Sequence, residues 1–269
     1  MQRAVLASLL VGLCAPAVGT FIVQRKLSLL GDGIGHVALT GVALGFLTGT
    51  SPVLTAVVVA VLGAVAIEVV RARGRTSGDV ALALLFYGGI AGGVLLMAIA
   101  PGGSNAKLTS YLFGSIASVT PQDTWVIAGL AVAVIAVVTV FGRELFVLCQ
   151  DEEVAKASGL PVRFLSMLIA VTAALTVVIA MRVVGLLLVS ALMVIPVATS
   201  QQFTRGFRAT MLLSMVFGVV AAVGGLLSST VSAKVPPGAA IVLLALTGFI
   251  LAQVLGRFVR RGRTEEIPS

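Results

Sequence analysis

Asp32 and His36 stand four residues apart in the apolar run LSLLGDGIGHVALTGVALGFLTG, residues 27–49, and His36 is the only histidine in the chain. On a helix, residues at i and i+4 share a face. A carboxylate oxygen beside an imidazole nitrogen is a ligand pair suited to Zn²⁺, Mn²⁺ or Fe²⁺. One copy supplies two ligands, and a dimer would supply four. The same pair could instead tie two helices together or relay protons. Thr40 and Ser28 could give it supporting hydrogen bonds. Ionisable side chains at membrane depth are costly and default to function. Counted from Leu27 at ~1.5 Å per residue, His36 lies about 14 Å along the helix, near the middle of a ~30 Å hydrocarbon core.

The rest of the chain must be able to put such a pair inside a membrane. Of its 269 residues, 59% are apolar and only 10% are charged, with a mean hydropathy of +1.16. A soluble domain carries about 25% charged residues, so an ordinary cytosolic globule, a disordered chain and collagen are all excluded. Apolar runs cover residues 4–23, 27–49, 52–70, 80–100, 124–142, 164–181, 183–200, 209–227 and 239–256. Each is close to the ~20 residues that a helix needs to span. Helices are required because a lone strand leaves its backbone unsatisfied in lipid. The fold class is therefore an all-α polytopic bundle of eight or nine spans. The weakest boundary is Met181-Arg182-Val183, where two runs meet without a loop.

The first run could mimic a signal peptide, with Arg3 before it and Ala15-Pro16-Ala17 within it. Its unbroken length favours a retained helix. Cys14 and Cys149 lie in different settings, and a disulfide between them is not expected. Glycines four apart, as in Gly41/Gly45 and Gly89/Gly93, allow close helix packing in lipid.

The formal net charge of +8 would suggest nucleic acid in a soluble protein. Here it reports topology. With the N-terminus outside, fourteen of the 18 basic residues fall in cytoplasmic connections or the C-terminal segment. Four, Arg3, Lys107, Arg182 and Lys234, fall on the other side. The positive-inside rule then favours an outside N-terminus and a cytoplasmic C-terminus, with no nucleic-acid partner.

Two connections are richer than plain loops. Residues 107–121 (KLTSYLFGSIASVTP) read either as a short helix at or dipping into the outer surface, or as an amphipathic turn. Residues 143–163 (RELFVLCQDEEVAKASGLPVR) hold Asp151, which can cap a short helix with Glu152 and Glu153 in its first turn. Gly159-Leu160-Pro161 would end that helix. A soluble partner could grip this segment, or it could be a solvated linker. Glu68, one turn from its span's end, can pair with Arg71.

Three blocks resemble one family, the transition-metal ABC importer permeases that take up zinc, manganese or iron: residues 24–47, 107–123 and 151–200. They total 91 of the 269 residues and follow one another in the right order between residues 24 and 200. The resemblance implies one integral-membrane permease domain over residues 1–269 of a type II-like importer, in a bacterial plasma membrane. It implies a second permease copy as homodimer partner, cytoplasmic ABC ATPase subunits and an extracytoplasmic metal-binding protein. It implies that Asp32 and His36 line the metal path. It also implies that Asp151–Gly159, within the segment 143–163, is the coupling element, with Asp151, Glu152, Glu153, Ala155 and Gly159 as its residues. Family members often carry Ser before the histidine and Ala after the aspartate, where this chain has Gly35 and Gly33. The GDGIGHVA form resembles zinc-type members most.

The chain has no G-x-x-x-x-G-K-[ST] element, so ATP is expected only through a partner subunit. No permanent cofactor is expected, only a transported divalent metal. The reading is a non-catalytic translocation subunit. The alternatives are a proton- or ion-coupled secondary transporter using Asp32 and His36 as a relay, and a membrane metalloenzyme. The second lacks a further ionisable cluster for acid–base work.

Overall fold

The computed structural model describes residues 2–72, 78–100, 105–114, 121–231 and 236–264, and all regular elements among them are helices. They are α1 (Gln2–Gln24), α2 (Leu30–Thr48), α3 (Pro52–Ala72), α4 (Gly78–Ile99), α5 (Asn105–Phe113) and α6 (Pro121–Val140). Then follow α7 (Gly142–Gln150), α8 (Glu152–Ala157), α9 (Val162–Met181), a 3₁₀ turn (Leu186–Leu188), α10 (Val189–Ser200), α11 (Phe207–Val231) and α12 (Pro237–Thr264).

Local sequence explains how the elements that carry the site begin and end. α2 stops where Gly49 takes a left-handed φ of +68° and returns its N–H to Gly45 O, the conformation for which glycine is the default. Pro52 then opens α3, where its missing N–H costs nothing. The hairpin closes tightly because Gly41 has no side chain. A Cβ there would lie 2.7 Å from Ala56 Cα.

α2 forms the centre of one half of the bundle, against α3, α4 and α9. α1 packs on α11, α10, α6 and α9. The α1–α11 crossing is glycine to glycine: a Cβ on Gly12 would lie 2.8 Å from Gly218 O. Such approaches replace the hydrophobic drive that lipid does not provide. Large apolar side chains stay exposed around the outside, among them Leu54, Leu84, Val132, Leu212 and Leu243. Together they form the belt that a bilayer covers.

Among the described residues, seven helices are long and apolar enough to cross a membrane: α1, α2, α3, α4, α9, α11 and α12. α6 and α7 make an eighth if taken as one bent span, with a 67° turn between them. The run 183–200 differs from the nine-run reading. Gly185, at φ +91°, breaks the chain, and only the 12 residues of α10 are α-helical. At ~1.5 Å per residue that is about 18 Å, too short for a ~30 Å core.

Candidate functional site

The turn after α1 carries Lys26 at φ +57°, and α2 starts at Leu30 rather than Leu27. Asp32 therefore sits in the first turn of α2, where the positive end of the helix dipole favours a carboxylate. His36 is one turn further, only about 9 Å from the helix start, and is 7% exposed. The two side chains share a face, as their spacing predicts. Phe86 of α4 meets the imidazole edge-to-face, with centroids 4.5 Å apart at 78°. Behind it, Gly89 lets α4 approach the α2 backbone: a Cβ there would lie 2.7 Å from the His36 carbonyl carbon.

Two polar features stand out. The Ser190 hydroxyl of α10 donates to Asp32 Oδ1 at 2.5 Å. His36 Nδ1 is buried with no hydrogen-bond partner, an uncommon and costly state for a ring nitrogen. A metal ion would satisfy that nitrogen when the imidazole is neutral. The Thr40 hydroxyl donates to backbone carbonyls, to Gly89 O at 2.9 Å and to His36 O at 3.4 Å. Among the described residues, no group of three or more His, Cys, Asp or Glu could hold a metal. One copy therefore offers two side chains of that kind.

Residues 182–186 of the break are buried, and the break packs against α5. Gly114, at φ +77°, lies against the backbone of Val183, Val184 and Gly185. Arg182 is buried, and its guanidinium stands 5.2 Å from the Tyr111 ring centroid. The short-helix reading of 107–121 fits α5 as far as Phe113, and residues 115–120 lie outside the described residues.

The second cluster is α8. Asp151 caps it by accepting from Glu153 N at 2.7 Å and Val154 N at 3.2 Å. Gly159 ends it at φ +76°. Glu152 is bridged by Lys156 at 2.9 Å and by Arg25 at 3.2 Å. The Lys156 bond, helped by the nearby Arg25 and Arg71 charges, holds the Glu152 carboxyl below the usual range. Arg25 also donates to Ser166 at 2.7 Å. Ala155 is fully buried, so it anchors α8 to the bundle, while Glu153 and Val154 are exposed. The expected Glu68–Arg71 pair forms at 2.9 Å and lines a cavity of about 500 Å³ with Arg25, Glu152 and Lys156.

Sequence reading missed three parts. The sequence places α7 within a connection, and the fold makes it an amphipathic helix with Leu145 and Leu148 buried. Ser190 was hidden in an apolar run; its hydroxyl among Val and Leu was the available signal. Arg25 showed only as a topology charge, and nothing in the sequence marks it as the partner of Glu152.

Known proteins with the same sequence pattern assign the bundle. The family model "ABC 3 transport family" matches residues 1–256. The manganese transport system membrane protein MntC of Halalkalibacterium halodurans is 34% identical over 276 residues, covering 100% of this chain and 94% of that protein. The manganese import system permease protein ScaB of Streptococcus gordonii is 32% identical over 252 residues, covering 94% and 90%. Among solved structures, PsaBC from Streptococcus pneumoniae in complex with Fab superposes with a TM-score of 0.84 at 34% identity, covering 93% of this chain and 90% of that one. These matches favour an ATP-driven importer and lend nothing to a proton-coupled carrier. The chain belongs to the ABC 3 transport family and is a multi-span, non-catalytic permease of a metal importer.

Proposed function

We propose that this chain forms half of a homodimeric permease that imports Mn²⁺ by alternating access. Asp32 and His36 of each copy hold the ion transiently. The observation that carries this reading is the buried, unpartnered His36 Nδ1 one helical turn from the Asp32 carboxylate. Relatives named for manganese move the reading from zinc toward Mn²⁺. A carboxylate–imidazole pair serves either ion, so Zn²⁺ and Fe²⁺ are the competing substrates.

In this reading residues 1–269 are one permease domain with its N-terminus outside and C-terminus in the cytoplasm, an orientation that needs an odd number of crossings, so residues 182–188 and α10 together carry the chain across as a broken span. An extracytoplasmic binding protein delivers the ion. ATPase subunits grip α8 through Glu153, Val154 and the neighbouring exposed surface, with segment 143–163 as the coupling element. Asp151 and Gly159 shape α8, and Ala155 and Glu152 fasten it to the bundle. Closure of the motors moves α8, and the bundle reopens the path inward.

The deciding experiment is metal-by-metal growth and uptake in a strain lacking its own importer, complemented by this permease with its cognate ATPase and binding protein. Restored Mn²⁺ uptake, with weaker rescue by Zn²⁺ and Fe²⁺, is expected. Rescue by Zn²⁺ alone would overturn the manganese assignment.

A further inference from the structure

Ser190 sits in the first turn of α10, immediately after the break at Gly185. It reaches across 158 residues of sequence to Asp32. The two elements meet here at ordinary packing distance. Gly31 has no side chain, and a Cβ there would meet Ser190 Cβ at 3.4 Å and Met193 Sδ at 3.5 Å. Ser190 itself is half-buried.

A serine hydroxyl has one proton to donate and two lone pairs to offer. Here the proton is committed to Asp32 Oδ1. The hydrogen bond holds one carboxylate oxygen and leaves the other to face an ion. It also leaves the hydroxyl lone pairs free, beside the carboxylate that would bind the ion.

We propose that Ser190 is the specificity-determining residue of the metal path: it fixes Asp32 through its proton and supplies a neutral oxygen ligand that favours Mn²⁺ over Zn²⁺. The inference rests on the reading of Asp32 and His36 as ligands in a two-copy site. Two carboxylate oxygens and two imidazoles make a four-ligand set, which suits tetrahedral Zn²⁺. Adding one hydroxyl oxygen from each copy makes six ligands of harder character, which suits octahedral Mn²⁺. The same hydroxyl therefore positions one ligand and changes the coordination number.

The test measures Mn²⁺ and Zn²⁺ uptake by the full permease–ATPase–binding-protein system in cells, with each ion competed against the other. Ser190→Ala and the near-isosteric Ser190→Cys should raise the Mn²⁺ KM by about tenfold or more, the scale of losing a ligand-orienting partner. Zn²⁺ uptake should be retained, and for Ser190→Cys it should gain on Mn²⁺ through the softer sulfur. Ser190→Thr keeps the hydroxyl and should restore the native Mn²⁺-to-Zn²⁺ ratio. A packing role alone would lower uptake of both ions together and leave that ratio unchanged, which would overturn the inference. So would a native ratio and KM in Ser190→Cys. Asp32→Asn is run in parallel: normal uptake there would sink the underlying ligand reading, whereas its loss beside an unchanged ratio in the Ser190 variants would sink only the role of Ser190.

Discussion

Arg25 and Glu152 form an ion pair of 3.2 Å between the end of α1 and the first turn of α8. The pair joins the proposed motor contact to the turn that leads, seven residues later, to Asp32. It is partly solvated, so its worth to stability is small, at most about 1 kcal/mol. Its expected value is mechanical. Arg25→Glu or Glu152→Arg should lower metal-stimulated ATP hydrolysis severalfold while the complex still assembles. The double exchange should recover part of the loss. Equal defects in the single and double variants would show that the two residues act independently.

The lowered Glu152 carboxyl gives a pH dependence with a definite sign. A carboxyl depressed on folding stabilises above its unfolded value, near 4.3 for glutamate, and loses that contribution as pH falls through the folded value. Backbone hydrogen exchange in residues 152–157, corrected for the intrinsic pH effect, should therefore be flat from pH 8 to about 5. It should rise below that range. Glu152→Gln should exchange faster at neutral pH and lose the acid-dependent rise. A rise between pH 6 and 8 would assign the attachment to another group.

Asp151 satisfies two backbone N–H groups at the start of α8. Asp151→Ala should fray this helix, at a local cost of about 1 kcal/mol. Asp151→Asn keeps the acceptor and should behave almost as the parent. The readout is again exchange in residues 152–157, together with coupled ATPase activity. Identical behaviour of the two variants would argue against the cap.

Gly88 and Gly89 are neighbours with opposite expectations. A Cβ on Gly88 meets nothing within 4 Å, whereas one on Gly89 lies 2.7 Å from the α2 backbone at both His36 C and Val37 N. Gly89→Ala should force α2 and α4 apart, at about 1–3 kcal/mol. It should depress both folded yield and uptake. Gly88→Ala should be silent in the same detergent-stability and uptake assays.

The bundle was legible in the sequence because lipid imposes a length and a polarity on each helix. Seven of the nine apolar runs lie on described helices long enough to span, and an eighth, 124–142, does so only with α7 as one bent span. The run 183–200 misled because hydropathy sees that Arg182 is flanked by apolar residues but does not see Gly185 at positive φ. Asp32 and His36 stood out as rare polar groups in an apolar stretch, and their shared face follows from spacing alone. Ser190 and Arg25 could not be assigned, since their partners lie 158 and 127 residues away. Only the folded chain brings Asp32 to Ser190 and Glu152 to Arg25. Gly33 and Gly35, where the family often has Ala and Ser, leave room for those side chains. The nearest atoms to an added Cβ are Leu82 and Leu85 side chains at 3.7 Å or more, and Leu186 at 3.5 Å.

The central claim is that Asp32 and His36 hold the transported ion. Its most direct measurement is Mn²⁺ uptake by Asp32→Asn and His36→Ala permeases, each co-purified with the ATPase to show that assembly is intact. The account predicts near-complete loss of uptake in both, with native levels of the complex. Native Mn²⁺ uptake in either variant would contradict it.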